Sequence, residues 1–258
     1  MKTLFKFIVL LLTPFASSVY GQEPKYYFDL VINVMATENS SKNILQKLDS
    51  LKSTLIPSRS SVSSYFDRDI DFGYRHQRIT LRLNLNSFQI DLLKKADTVY
   101  TMSVKQYVNP FEVDSTLLSI YSHIDTTESL SFLTKRNALY NSHKQLADLL
   151  KELAKPEVFA FHCGDGSPKT EQGWYIEELV DNKNIYELTN MLQSICVETQ
   201  AYGISGLEML MKKNIEIPIK TKMLIMQIKK RNSQTVICSG CLTGLIEKIY
   251  TKNKNAYR

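Results

Sequence analysis

Little in this sequence belongs to the usual equipment of a catalytic site. The four histidines include no His-x-x-x-His or His-x-His pair, which excludes the common zinc-ligand spacings. Nine glycines are scattered without a phosphate-cradling loop, which excludes the P-loop class. Gly164-Asp165-Gly166-Ser167-Pro168 lacks the glycine after serine that a nucleophile elbow requires. After the N-terminal segment no run approaches the length of about eighteen apolar residues that a transmembrane helix needs. Only Tyr250 and Tyr257 stand among the C-terminal basic residues, too few to form a stacking platform, so single-stranded nucleic acid is not an expected partner. No spacing calls for a cofactor. What is present is 43% hydrophobic residues over 258 positions, enough to bury a sizeable core and far from a disordered or collagen-like composition.

The first 21 residues read as a secretory signal. Lys2 and Lys6 flank the start of an apolar run, Phe7 to Leu12, followed by Pro14 and small residues. Cleavage after Gly21 would leave Gln22 as the N-terminus, in a periplasmic or extracellular setting, and the first cysteine, Cys163, is too distant to carry a lipid anchor. The formal charge of +6 is unevenly distributed: between Lys212 and Arg258 eleven basic side chains face only Glu216 and Glu247. Such a balance suits an acidic partner or a solvated helix face with a basic tail.

Residues 22–110 are expected to form an α+β, ferredoxin-like βαββαβ domain. Phe28, Leu30, Ile32 and Val34 alternate as in a strand, and Ile44, Leu48, Leu51 and Leu55 share a helical face behind Asn39-Ser40-Ser41. A weaker strand is expected at Val62 to Phe66 and another at Ile79 to Leu85. A short helix over Ser87 to Ala96 and a strand over Val99 to Val108 complete the pattern. Ser60 to Gly73 fits a loop or an irregular hairpin equally well.

Asn109-Pro110 then marks a change of regime, and residues 111–258 are expected to form an all-helical domain. Leu139, Leu146, Leu150 and Leu153 fall on one helical face, with His143 among them as a core histidine. Four further amphipathic segments follow: Trp174 to Val180, Ile185 to Leu192, Val197 to Met211 and Ile219 to Ile228.

The block from Glu171 to Lys213 resembles one HEAT or armadillo unit, on the apolar ladder Tyr186, Leu188, Leu192, Tyr202, Ile204, Leu207 and Leu210. The whole layout resembles a group of exported bacterial proteins, on the segment His162-Cys163-Gly164-Asp165-Gly166-Ser167-Pro168-Lys169-Thr170 and the late Cys238-Ser239-Gly240-Cys241. That resemblance implies export and a role for both segments, and no particular activity.

The cysteines are Cys163, Cys196, Cys238 and Cys241. Cys196 sits among apolar neighbours at a helix junction and suits an unpaired, buried thiol. A bridge from Cys163 to Cys238 or Cys241 would tie the turn to the chain end and serve structure. Alternatively, Cys238 and Cys241 would form a redox pair at the N-terminus of a helix over Leu242 to Tyr250. In a third arrangement, His162, Cys163, Cys238 and Cys241 would ligate zinc. Gly164, Asp165 and Gly166 are expected to form a turn, with Ser167 or Thr170 capping the next helix. Asp67-Arg68-Asp69-Ile70-Asp71 is similar to the start of a calcium loop, but Phe72 and Arg78 occupy the places that want glycine and glutamate. The leading expectation is an exported, non-enzymatic module that binds a protein or envelope component, and the alternative is a thiol-based redox protein or enzyme.

Overall fold

The computed structural model describes residues 24–55, 60–108 and 116–250. Residues 1–21, expected from their pattern to be a signal, and the Asn109-Pro110 junction lie outside them. Helices α1 (Pro24–Thr37) and α2 (Ser41–Leu55) precede a five-stranded antiparallel sheet: β1 (Ser60–Asp71), β2 (Tyr74–Leu83), β3 (Asn86–Lys95), β4 (Thr98–Val108) and β5 (Thr116–Ile124). The strands run in sequence order as a meander. Six helices follow: α3 (Thr126–Tyr140), α4 (Leu146–Leu153), α5 (Glu171–Asp181), α6 (Ile185–Leu192), α7 (Val197–Lys212) and α8 (Ile219–Arg231). A hairpin of β6 (Thr235–Ser239) and β7 (Leu242–Glu247) comes last. The fold is therefore α+β with a central sheet between helical layers. The expected ferredoxin-like βαββαβ domain followed by an all-helical, HEAT-like domain is incorrect.

Each difference has a local cause. The segment expected as the first strand is helix α1, because Tyr27, Val31 and Met35, four residues apart, form its buried face. Phe28, Ile32 and Val34 are only partly buried against the same core. With Tyr27, Phe28, Leu30, Val31, Ile32, Val34 and Met35 all apolar, the segment satisfies both periods, and only the face that finds a partner decides between them. The expected helix over Ser87 to Ala96 is strand β3. Asn84, with φ 56°, makes a tight turn with Leu85, and Phe88, Ile90 and Leu92 then alternate into the core opposite Leu81, Ile79 and Gln77. The ambiguous Ser60 to Gly73 stretch is β1 and its turn, and β5, beyond Pro110, adds an unexpected fifth strand.

The single helix expected across Leu139 to Leu153 is broken. Asn141 takes φ 49° and caps α3 through its backbone N–H on Asn137 O. The chain restarts at α4, where Gln145 N donates to Asp148 Oδ2 at 2.9 Å. His143 consequently lies exposed in the connection rather than on a leucine face. The existence of α2, β2, β4 and α5 to α8 follows the expected periodicities.

Both faces of the sheet are covered. Ile79, Leu81, Leu83, Phe88, Ile90, Leu92, Met102 and Val104 face Tyr27, Val31, Met35, Ile44 and Leu48 of α1 and α2 in one apolar core. The opposite face carries His76, Arg78, Asp91, Thr101 and Ser103, all buried beneath the later helices. A smaller apolar cluster joins Ile70, Tyr74 and Leu93 of the sheet to Phe132, Leu133, Leu149, Leu153, Ile195 and Val197. Helices α5 to α8 pack around Ile176, Leu188, Leu192, Tyr202, Leu207 and Ile225. Fully burying an aliphatic or aromatic side chain contributes roughly 1.5–3 kcal/mol, so these clusters provide the main driving force for folding. Among the described residues no helix is long and apolar enough to cross a membrane.

Candidate functional site

The polar face of the sheet explains how the helical layer is held. Arg68 on β1 donates to Oε1 and Oε2 of Glu198 in the first turn of α7, the latter at 3.1 Å. On the neighbouring strands His76 Nε2 and Asp91 Oδ1 are 2.8 Å apart, and Arg78 Nε donates to the same oxygen at 2.7 Å. Arg78 also donates to Leu153 O and Lys155 O after α4, at 2.9 and 3.0 Å. Burial alone would raise the carboxyl pKa values of Glu198 and Asp91. Arg68 overrides it for Glu198, and Arg78 with His76 for Asp91, so both stay below the usual range. Burial pushes His76 the other way for a base, down to about 4, against the attraction of Asp91. Cys196 lies beside Glu157 and Glu198, and burial followed by the Glu198 charge pushes its thiol up to about 12. It is an inert thiol.

A second charged set holds the tip of the β1–β2 hairpin. Asp71, Phe72 and Gly73 have φ values of 142°, 55° and 77°, a run that L side chains adopt rarely. The Asp71 carboxylate accepts from Arg136 Nε at 3.2 Å, Arg231 Nη1 at 2.8 Å and Tyr140 Oη at 3.3 Å. Arg231 also reaches Ile70 O at 3.0 Å. Three anchors on one side chain offset the backbone cost and project Phe72 outward, 43% exposed.

Between that tip and α8 lies a cavity of about 630 Å³, lined by Asp69, Asp71, Phe72, Gly73, Met226, Gln227, Lys230 and Arg231. It is continuous in sequence pattern with the outer face of α8. Thr221, Ile225 and Ile228 are buried on the inner face. Ile219, Met223 and Met226, at positions i, i+4 and i+7, are 70%, 58% and 62% exposed and therefore form one outward stripe. Lys220 and Lys230 are exposed beside it and Lys222 is half-buried. The sequence shows the α8 periodicity and the basic run. It does not show the groove, because that requires Phe72 to be brought against Met226 across more than 150 positions.

The segments singled out by the cysteines meet at the other end of β6. Cys163 and Cys238 form a disulfide with Cα atoms 5.6 Å apart. Cys196 and Cys241 are unbridged, the first buried and the second exposed. Gly164, with φ 97°, and Gly166, with φ 70°, build a turn in which Ser167 N donates to Gly164 O and Cys163 N to Pro168 O, each at 3.0 Å. Thr170 caps α5, accepting from Gly173 N at 2.9 Å. Asp165 projects to the other loop and accepts from Cys241 Sγ at 3.4 Å. The expected helix after Cys241 is β7, so Cys238 and Cys241 flank a hairpin turn at Gly240 instead of a helix N-terminus. His162 Nδ1 is engaged by Ser167 O at 3.0 Å. Among the described residues no three His, Cys, Asp or Glu side chains are grouped to hold a metal ion.

The carboxylates of the calcium-like run are each occupied by cations. Asp67 is paired with Arg75 and Lys94, both at 2.8 Å, Asp69 with Arg75 at 2.9 Å, and Asp71 with Arg136 and Arg231. Compared with models of known protein families, with curated proteins and with solved structures, the chain has no match.

Proposed function

We propose that this protein is an exported binding module, and that the groove between the β1–β2 hairpin tip and α8 docks an acidic protein segment carrying apolar anchors. The observation that carries this reading is the exposed stripe Ile219, Met223 and Met226 leading to Phe72. Methionine side chains adapt to different partner shapes, which suits a docking surface. Lys220, Lys222 and Lys230 flank the stripe, so the complementary partner is anionic around its apolar contacts. The concave end, walled by the hairpin tip, favours an inserted side chain over a flat lipid surface. The N-terminal signal pattern and the resemblance to exported bacterial proteins support the location, and the disulfide fits an oxidising compartment.

Calorimetric titration with a helical peptide bearing Leu and Phe at i and i+4 amid glutamates tests the reading. Binding is expected, weakening as salt rises, and at least tenfold weaker in the doubly substituted Met223→Asp/Met226→Asp protein. A lysine-substituted peptide binding equally well, or binding only to phosphatidylglycerol vesicles, overturns the proposal.

A further inference from the structure

Three of the four cysteines converge on two facing loops. The Cys163–Cys238 bridge joins them covalently, and Gly164 N donates to Gly240 O at 2.9 Å, pinning the residue after one half-cystine to the residue before Cys241. Cys238 Sγ lies 3.4 Å from that same Gly240 O. Cys241 Sγ is held by the Asp165 carboxylate at 3.4 Å, two residues beyond Cys163. An exposed thiol is thereby kept beside a disulfide whose two halves are only partly buried. A structural bridge sealed in a core offers no such access.

We infer that Cys163, Cys238 and Cys241 form a thiol–disulfide exchange centre in which Cys241 attacks Cys238. The Cys241 thiol first gives its proton to solvent. Its thiolate then forms the Cys238–Cys241 bond as the Cys163–Cys238 bond breaks, and Cys163 leaves as a thiolate that takes up a proton. The step is an isomerisation: one disulfide and one thiol stand on each side, and no external oxidant or reductant is consumed. Gly240, with φ 60° and nothing within 4 Å of the position a Cβ would take, gives the hairpin turn room to rearrange. After exchange the turn over residues 162–169 is no longer tethered to β6, and Cys163 presents a thiol that can enter a mixed disulfide with a second protein or a small disulfide. Cys196 takes no part, being buried against Glu157 and Glu198.

Timed alkylation tests the centre in the full chain without reductant. Oxidised protein is held at pH 7, 8 and 9, quenched at intervals with N-ethylmaleimide, digested with trypsin and mapped. Cys238 and Cys241 share one tryptic peptide while Cys163 lies on another, so a label on Cys163 reports exchange directly. Labelled Cys163 is expected to accumulate with first-order kinetics independent of protein concentration. Its rate should rise from pH 7 to pH 9, because a thiolate and not a thiol attacks a disulfide. In Cys241→Ser the label on Cys163 should vanish. In Cys163→Ser, recovered from oxidising conditions, Cys238 and Cys241 should be bridged, with both resistant to alkylation. Unlabelled Cys163 in the native chain overturns the inference, as does equal labelling in Cys241→Ser or a rate that scales with protein concentration.

Discussion

Arg68 and Glu198, 130 positions apart, face each other with side chains each 2% exposed. Removing one partner leaves the other charge buried and uncompensated, a cost of about 3–5 kcal/mol. Glu198→Ala should therefore lower stability by that order in urea denaturation, whereas replacing both residues with Met and Leu should recover most of the loss. His76 links the same cluster to pH. Arg68, Arg78 and Asp91 are its charged neighbours, and in the folded chain it stays neutral until pH falls to about 4, against an ordinary value of 6.5. The unfolded chain consequently binds one more proton between those values, so stability is complete above pH 6.5 and falls as pH drops towards 4. The full contribution is roughly 3 kcal/mol. Midpoints of denaturation at pH 7, 5.5 and 4.5 should decline in the native protein, and more shallowly over this interval in His76→Gln.

Among the elements, α7 shows how small residues permit close packing. A Cβ on Gly203 would stand 2.8 Å from Leu188 O and from Met191 Cβ. The first is backbone and cannot rotate away, so Gly203→Ala should force α6 and α7 apart and cost about 1–3 kcal/mol despite the better helix propensity of alanine. Circular dichroism melting checks this, and a neutral or stabilising result would mean that the helices separate without cost. Helix α8 illustrates the opposite situation. Its buried Thr221, Ile225 and Ile228 secure it, while Met223 and Met226 contribute little to the core. Met223→Asp and Met226→Asp should consequently each shift stability by less than about 0.5 kcal/mol, which separates their effect on docking from any effect on folding.

For the molecule as a whole, the Cys163–Cys238 bridge spans 75 positions and joins the turn before α5 to the C-terminal hairpin. Closing a loop of that length removes unfolded-state entropy worth roughly 4 kcal/mol as an upper expectation. The double variant Cys163→Ser/Cys238→Ser should melt at a lower temperature than the oxidised protein, and the native chain in reductant should approach the same value. The same bridge secures a hairpin that also leans on the sheet. Tyr65 Oη donates to Gly244 O at 2.9 Å, and Val236 N to Glu198 at 2.8 Å. Loss of the bridge should therefore loosen β6 and β7 before the central sheet, with hydrogen exchange rising first over residues 235–247.

Local periodicity was enough for the elements whose apolar spacing has one solution: α2 from Ile44 and Leu48, β2 from Ile79, Leu81 and Leu83, and the helices α5 to α8 with their short connections. The sequence also drew attention to Cys163, Cys238 and Cys241, because four cysteines can be paired in few ways, and to the turn at Gly164, Asp165 and Gly166. It did not separate helix from strand in α1 or β3. Their residues are apolar at both periods, and the decision fell to the partner surface, the α2 helix and sheet for Tyr27, Val31 and Met35, and the neighbouring strands for Phe88, Ile90 and Leu92. Only tertiary structure could show that Arg78 and Asp91 are interior residues, since charged side chains at alternating positions read as a solvated face until a second layer covers them. The groove between the hairpin tip and α8 and the choice of Cys238 over Cys241 as the partner of Cys163 belong to the same class. Both depend on distances between residues far apart in the chain, which the packing of the helical layer on the sheet sets and local periodicity does not encode.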